Sequence, residues 1–482
     1  MDIQQIQAQR YKFFAVGAIG TFMATLDGSI LNVALPSIAD DFSAPINLVA
    51  WVVLAYALTL ISLMVAFGAW TQRRGYNFSY TFGYIFFLIG STLCALSQSI
   101  EMLVTARVVQ AIGTAMFAAV GPGMVTTVFP VEERGKGIGI MVMMVSAGFM
   151  VGPPLGGWIL GQWTWHMIFL INLPVGIVGL FMTRKYFRML PVPTEKKPLF
   201  LPTVIAISLS LVTGVFALSS LDEHWPTDPI VWGLALASVV LFYIFLKFES
   251  QPNRAVIGLE MFRNRTFSAS MLAQFAHFSG MSGVLVLIPF YLERVKLFEP
   301  QKVGLFLVIL PIMMFIVAPA SGKMSDRIGF RLLTSLGMIV MGVGLWLLSG
   351  LTVETESWYV VMSLVVVGGG VGLFSTPNSS AMMGSVTPEQ RAVASSMLAT
   401  NRNIGMSVGV ALSTALFAFF RARNAGLVDE NLIFVESYRP VIYVGMGFAV
   451  LGLLFCLIRN NRAQTEPSDK AEGPDKQVAQ PM

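Results

Sequence analysis

Asp27 lies in the stretch Thr25-Leu-Asp-Gly-Ser-Ile-Leu-Asn-Val-Ala-Leu-Pro36, which sets one carboxylate inside an otherwise apolar run. If residues 13–35 form a helix, it is about 34 Å long at about 1.5 Å per residue and spans a bilayer. Asp27 then sits about 21 Å from one end and about 12 Å from the other, within the hydrocarbon layer. A carboxylate there costs about 2.5–3.5 kcal/mol to insert. It is either a titratable or cation-binding site, or a neutral acid held by hydrogen bonds to a neighbouring helix. Intramembrane acids are functional by default, which favours the first reading.

Two basic residues also fall inside apolar segments, Arg107 and Arg402. Arg107 lies about 8 Å into its helix, counted from Met102, and so at a depth similar to Asp27. The expectation is a polar cluster of Asp27 and Arg107 with Asn32 or Gln110. A guanidinium favours the ionised form of a neighbouring carboxyl group while burial favours the neutral one, so Arg107 would tune the acid. Arg402, flanked by Asn401 and Asn403, either lines a cavity or snorkels to water from a shallow position. His277 is a candidate second proton carrier, with a packing histidine the more ordinary reading.

Enzymatic chemistry finds little support. His166, His224 and His277 are scattered, with no nucleophile, paired acid or ligand set beside them. Cys94 and Cys456 are far apart in apolar segments and indicate neither a disulfide nor a metal site. No G-x-x-x-x-G-K-[ST] loop occurs, which argues against an ATP-driven pump. No cofactor is expected; were the chain a secondary transporter, a proton gradient would supply the work, about 2.3 kcal/mol per charge per 100 mV.

A chain of 482 residues that is 55% hydrophobic and 12% charged, with mean hydropathy +0.72, reads as a polytopic all-α membrane protein. Its net charge of +5 says nothing for nucleic acid, because the basic residues are spread over the loops. Fourteen apolar segments are long enough to span: 13–35, 47–69, 78–98, 102–127, 138–160, 165–183, 199–219, 229–248, 267–291, 302–321, 332–350, 358–380, 393–419 and 438–458. No cleavable signal peptide is expected, since the first apolar stretch is too long. With both termini inside, 23 of the 31 Lys and Arg fall on the cytoplasmic side, six outside and two within helices. That asymmetry supports cytoplasmic termini.

Two loops repeat one pattern: Gly68-Ala-Trp-Thr-Gln72-Arg73-Arg-Gly75 and Gly322-Lys-Met-Ser-Asp326-Arg327-Ile-Gly329-Phe-Arg331. The repeat divides the chain into a six-helix bundle over 1–190, two inserted helices over 191–250, a second six-helix bundle over 251–462 and a disordered cytoplasmic tail over 463–482. The polar segment 249–265 is expected along the inner surface. Parallel repeats of this kind place a substrate cavity near mid-membrane, between the bundles.

The chain resembles, over essentially its whole length, the fourteen-helix drug:proton antiporters of the major facilitator superfamily. Leu26-Asp27-Gly-Ser-Ile-Leu-Asn32-Val-Ala-Leu-Pro36 is similar to the family's first-helix signature, with Ser29 at the usual Thr. Arg107-Val-Val-Gln110-Ala-Ile-Gly113 resembles its fourth-helix motif, with Ala111 at a usual Gly. Gly139, Gly148 and Gly152-Pro153-Pro154-Leu-Gly156-Gly157 match its fifth-helix antiporter motif, and Trp165-His-Met-Ile-Phe-Leu-Ile-Asn172-Leu-Pro174 the stretch opening its sixth helix.

The resemblance implies a secondary exporter of amphipathic, often cationic drugs or toxic compounds, working by alternating access as a monomer in a bacterial cytoplasmic membrane. Export of one endogenous metabolite on the same scaffold is the alternative. It implies that the glycine face of the fifth helix packs one bundle against the other, with Pro153 and Pro154 favouring a kink. It also gives the loop motifs a role in conformational change, although Gln72 replaces the acid of the first copy. Phe22, Trp51, Tyr56, Phe149, Met150, His277, Tyr291 and Arg402 are candidate cavity residues. The 28 methionines suit a permissive site. The short outer loop before the last helix disfavours a docking adaptor.

Overall fold

The computed structural model describes residues 3–44, 46–190, 200–219, 229–251, 255, 258–298, 300–424, 426 and 428–459. Among these residues every regular element is helical, the expected outcome for apolar segments whose backbone groups must be satisfied without water. The long helices are α1 (Arg10–Asp41), α2 (Ile46–Arg74), α3 (Tyr76–Ala95), α4 (Ile100–Ala118), α5 (Arg134–Gln162), α6 (Asn172–Tyr186) and α7 (Leu201–Ser219). They continue with α8 (Pro229–Glu249), α9 (Arg265–Phe290), α10 (Ile309–Ile328), α11 (Phe330–Ser349), α12 (Ser357–Gly384), α13 (Arg391–Arg423) and α14 (Glu430–Leu457).

Thirteen helices among the described residues are long and apolar enough to cross a membrane. The remaining one of the fourteen expected, α7, is a 19-residue apolar helix. The expected tail 463–482 lies outside the described residues. So does most of the stretch joining α6 to α7, and of segment 249–265 the structure describes a left-handed Gly258 followed by the short turn Leu259–Arg263.

Local chemistry sets the ends of these helices. Ser99, Asn264 and Asp429 accept backbone N–H bonds at the starts of α4, α9 and α14. The two repeated loops turn on Gly75 and Gly329, whose φ of 82° and 83° are nearly the same and favour glycine.

In the first bundle α1 packs on α5 and α6, and α4 on α2 and α3; in the second, α9 packs on α13 and α14, and α12 on α10 and α11. The bundles meet through α5 with α10 and through α2 with α13. The inserted helices lie to one side, α7 on α8, α2 and α13. Ser210 Oγ donates to the Ser238 carbonyl at 2.9 Å and Ser238 Oγ returns a bond to the Ser210 carbonyl at 2.8 Å, while Ser208 Oγ donates to the Ser62 carbonyl at 2.7 Å. Helix α8 leaves Leu236, Val239 and Tyr243 uncovered, an outer face suited to lipid.

Candidate functional site

The helix bearing Asp27 is held against α5 by a row of glycines at a spacing of four. A Cβ on Gly148 would strike Thr25, one on Gly152 would strike Ser29, and one on Gly156 would press on Ile30. Ser29 Oγ donates to the Gly148 carbonyl at 3.0 Å, across this close approach. The glycine face expected to join the two bundles therefore packs inside the first, against α1. Contact between bundles lies earlier on α5, where Gly135 meets Gly322 and Gly139 meets Ala318 and Pro319. Gly157 faces open space and belongs to neither contact. The helix runs through Pro153 and Pro154 as one element.

Asp27 and Arg107 are each 1% exposed. Arg107 Nη1 donates to Asp27 Oδ2 at 2.6 Å. Asp27 Oδ1 accepts from Gln110 Nε2 at 2.8 Å and from Asn172 Nδ2 at 2.9 Å. Among the described residues every partner of the two carboxylate oxygens is a donor. Gln110 closes the ring, its Oε1 accepting from Arg107 at 2.5 Å and its Nε2 donating to Ser91 Oγ at 2.8 Å. Arg107 also reaches the Val52 carbonyl at 3.3 Å and lies 4.0 Å from the Tyr56 ring centroid. Tyr56 in turn donates to Thr114 Oγ1 at 2.9 Å. Helices α1, α2, α4 and α6 thus converge on one charge pair, backed by Ser91 of α3, and a proton on Asp27 removes the charge that holds Arg107 there.

Asn172 and Ser91 were not among the residues singled out from the sequence as site members. Asn172 had a signal, a lone amide in the apolar run before Pro174; Ser91 had none. Asn32 lies on α1, but its side chain is outside the described residues.

The other candidate cavity residues are dispersed. Trp51 packs on Phe216 of α7, at the flank of the first bundle and not at its centre. Tyr291 is buried and donates to the Thr352 carbonyl at 2.7 Å beside Tyr438. His277 is fully buried and stacked on Phe374, with ring centroids 4.4 Å apart. Phe149 is 48% exposed, and Phe22, Met150 and Arg402 are part-buried.

The second loop motif forms a latch. Asp326 Oδ1 accepts from Gly135 N at 2.9 Å and Oδ2 from Lys136 N at 3.1 Å, so its carboxylate caps the start of α5 across the bundle interface. The pseudo-symmetric contact sets Gly68 of α2 against Ser396 and Ala392 of α13, but Gln72 makes no described side-chain bond there. Arg391 Nη1 donates to the Thr126 carbonyl at 3.2 Å at the same end. Arg73 bonds the Ala69 carbonyl of its own helix at 2.8 Å. Arg327 is exposed on the surface, and the interbundle charge contact of this motif is that of Asp326.

A carboxylate on a helix start is worth about 1 kcal/mol through the dipole. Asp326→Asn is therefore expected to raise thiol labelling of a cysteine placed at Ala318, which Gly139 covers, by about fivefold. Unchanged labelling would remove Asp326 from the closure of this end.

The family model described as Major Facilitator Superfamily matches residues 17–410 and again 270–481. The chain is 31% identical over 446 residues to "Riboflavin transporter RibZ" of Clostridioides difficile (strain 630), covering 92% of this chain and 96% of that protein. It is 29% identical to "Multidrug resistance protein Stp" of Mycobacterium tuberculosis (strain ATCC 25618 / H37Rv), covering 89% and 82%. Among solved structures, the human organic anion transporter MFSD10 superposes with a TM-score of 0.66 at 13% identity, over 92% of this chain and 99% of that one, a likeness of fold alone.

Proposed function

The chain belongs to the Major Facilitator Superfamily, and from that premise we propose that it is a proton-coupled exporter of amphipathic compounds, cationic ones in the reading the sequence suggested, working by alternating access. The observation that carries this reading is the sealed Asp27–Arg107 pair, an intramembrane acid whose neutralisation takes the counter-ion from Arg107 and weakens the bonds that tie α1 to α4 and α6. In this reading, which the Lys and Arg asymmetry supports, the end bearing the chain termini and the Asp326 latch faces the cytoplasm, fourteen helices span counting α7, and the membrane is a bacterial cytoplasmic one. A proton arriving from outside neutralises Asp27, Arg107 loses its counter-ion, and α1 is freed to shift against α5 along the glycine row. Cargo and proton then favour different arrangements of the same bundle, which is what coupling requires. The protein needs no cofactor in this scheme and works as a monomer.

A second reading, transport of one metabolite on this scaffold, is favoured by the 31% identity to a riboflavin transporter over nearly the full length of both chains. Reconstitution into liposomes separates the two. Proton flux elicited by several unrelated amphipathic compounds supports the multidrug reading, and flux elicited by riboflavin alone supports the metabolite reading. Cargo movement with no proton flux under a pH gradient would sink the coupled mechanism.

A further inference from the structure

Away from the helix ends, the spanning segments of the described residues carry the Asp27–Arg107 pair, the Glu436–Arg439 pair and one further charged residue, Arg402. It lies about 16 Å along α13 from Arg391, too deep to reach water by snorkelling toward that end. No ion pair or hydrogen bond among the described residues involves its guanidinium. Its two neighbours fix the face it occupies. Asn401 Nδ2 donates to the Met271 carbonyl at 2.8 Å and to Gln274 Oε1 at 3.2 Å, both on α9. Asn403 Nδ2 lies 3.7 Å from Met64 Sδ, on α2 of the other bundle. Successive helical residues are about 100° apart, so Arg402 projects between these two contacts, at the seam of the bundles.

The layer also lacks partners for several buried atoms. His277, three residues beyond Gln274 on α9, has neither ring nitrogen bonded, and the hydroxyl of Thr400 is likewise unpaired. Buried polar groups are nearly always satisfied, so the two His277 nitrogens and the Thr400 hydroxyl are open to a further partner. The charge balance says of which sign. Asp27 is engaged by Arg107, Gln110 and Asn172, leaving Arg402 as the uncompensated charge at this depth among the described residues.

We propose that Arg402 is the anion-recognising group of the transport site, and that the cargo carries a carboxylate, sulfonate or phosphate. This rests on the transporter reading above and reverses the expectation of a cationic cargo. A planar guanidinium offers paired donors that match such an anion, and a cation placed at the seam would meet net positive charge instead.

Two dyes on one xanthene core test the sign, fluorescein as the anion and rhodamine 6G as the cation. Equilibrium binding is measured on the purified full chain in detergent free of anionic lipid. The wild type is expected to bind fluorescein about tenfold more tightly than rhodamine 6G. Arg402→Gln is expected to lose that preference, and Arg402→Lys, which keeps the charge, to retain part of it. Rhodamine 6G bound as well as or better than fluorescein by the wild type, or a preference unaltered in Arg402→Gln, overturns the proposal. The wild-type comparison needs no variant to fold. Binding also needs no gradient, so a wrong charge class leaves proton coupling untouched, whereas fluorescein bound without proton flux sinks the coupling alone.

Discussion

Arg107→Met is expected to destabilise the first bundle by about 3–5 kcal/mol and to abolish transport. The loss comes from Asp27, which the substitution leaves buried at 1% exposure with two amide donors and no cation. Gln110 Oε1 and the Val52 carbonyl lose a donor as well, and the Tyr56 ring loses the guanidinium beside it. Thermal unfolding of the purified variant reads the effect directly. Removing both members of a buried pair is much gentler than removing one. The double variant Asp27→Asn with Arg107→Gln should therefore unfold closer to wild type than Arg107→Met does. A double variant no more stable than Arg107→Met would mean that the pair is not the source of the penalty.

Asp27→Asn is expected to reduce pH-gradient-driven flux by at least about tenfold, because no residue left in the cluster can exchange a proton in its place. An amide preserves the size of the side chain and one acceptor, so Gln110 and Asn172 keep a partner while Arg107 loses its counter-ion. Downhill movement of cargo through the variant should persist, since the glycine row and the Asp326 latch that serve the rocking motion are unchanged. The pattern to look for is therefore facilitated movement without accumulation. The double variant adds a separation of roles. If it folds like wild type and still fails to couple, the pair serves more than stability.

How much of this was written in the sequence follows from what hydropathy encodes. It encodes depth, and depth alone brought Asp27, Arg107 and Gln110 to one level on two helices that proved to be neighbours. The repeat also left a trace in the pattern of Gly75 and Gly329, because a left-handed turn leaves little choice of residue. Rotation about the helix axis is not encoded in the same way, since a spanning helix is apolar on all sides. That is why the row at Gly148, Gly152 and Gly156 was assigned to the wrong partner, and why the contacts of Trp51 with Phe216 and of Tyr291 with Thr352 were not foreseen. Ser91 enters the cluster only through the register of α3 against α4, which a single sequence does not fix. Asp326 was visible as an acid in a loop motif, but not that its partner would be the backbone of α5, since backbone donors carry no sequence signal.

Arg402 shows the same limit from the other side. Boundaries set by hydropathy left room for a shallow position from which its side chain reaches water. The capped turn at Thr387–Gln390 starts α13 at Arg391, which places Arg402 eleven residues, about 16 Å, along the helix. What the sequence left open, cavity lining or snorkelling, turns on the contacts of Asn401 and Asn403 on either side, which hydropathy does not encode.

The account turns on Asp27 giving up and taking a proton as cargo comes and goes. The most direct measurement is proton release on addition of cargo to purified protein in weakly buffered solution, taken at several pH values for wild type and Asp27→Asn. Release from the wild type that the variant lacks is the predicted result, and equal release from both at every pH would contradict it.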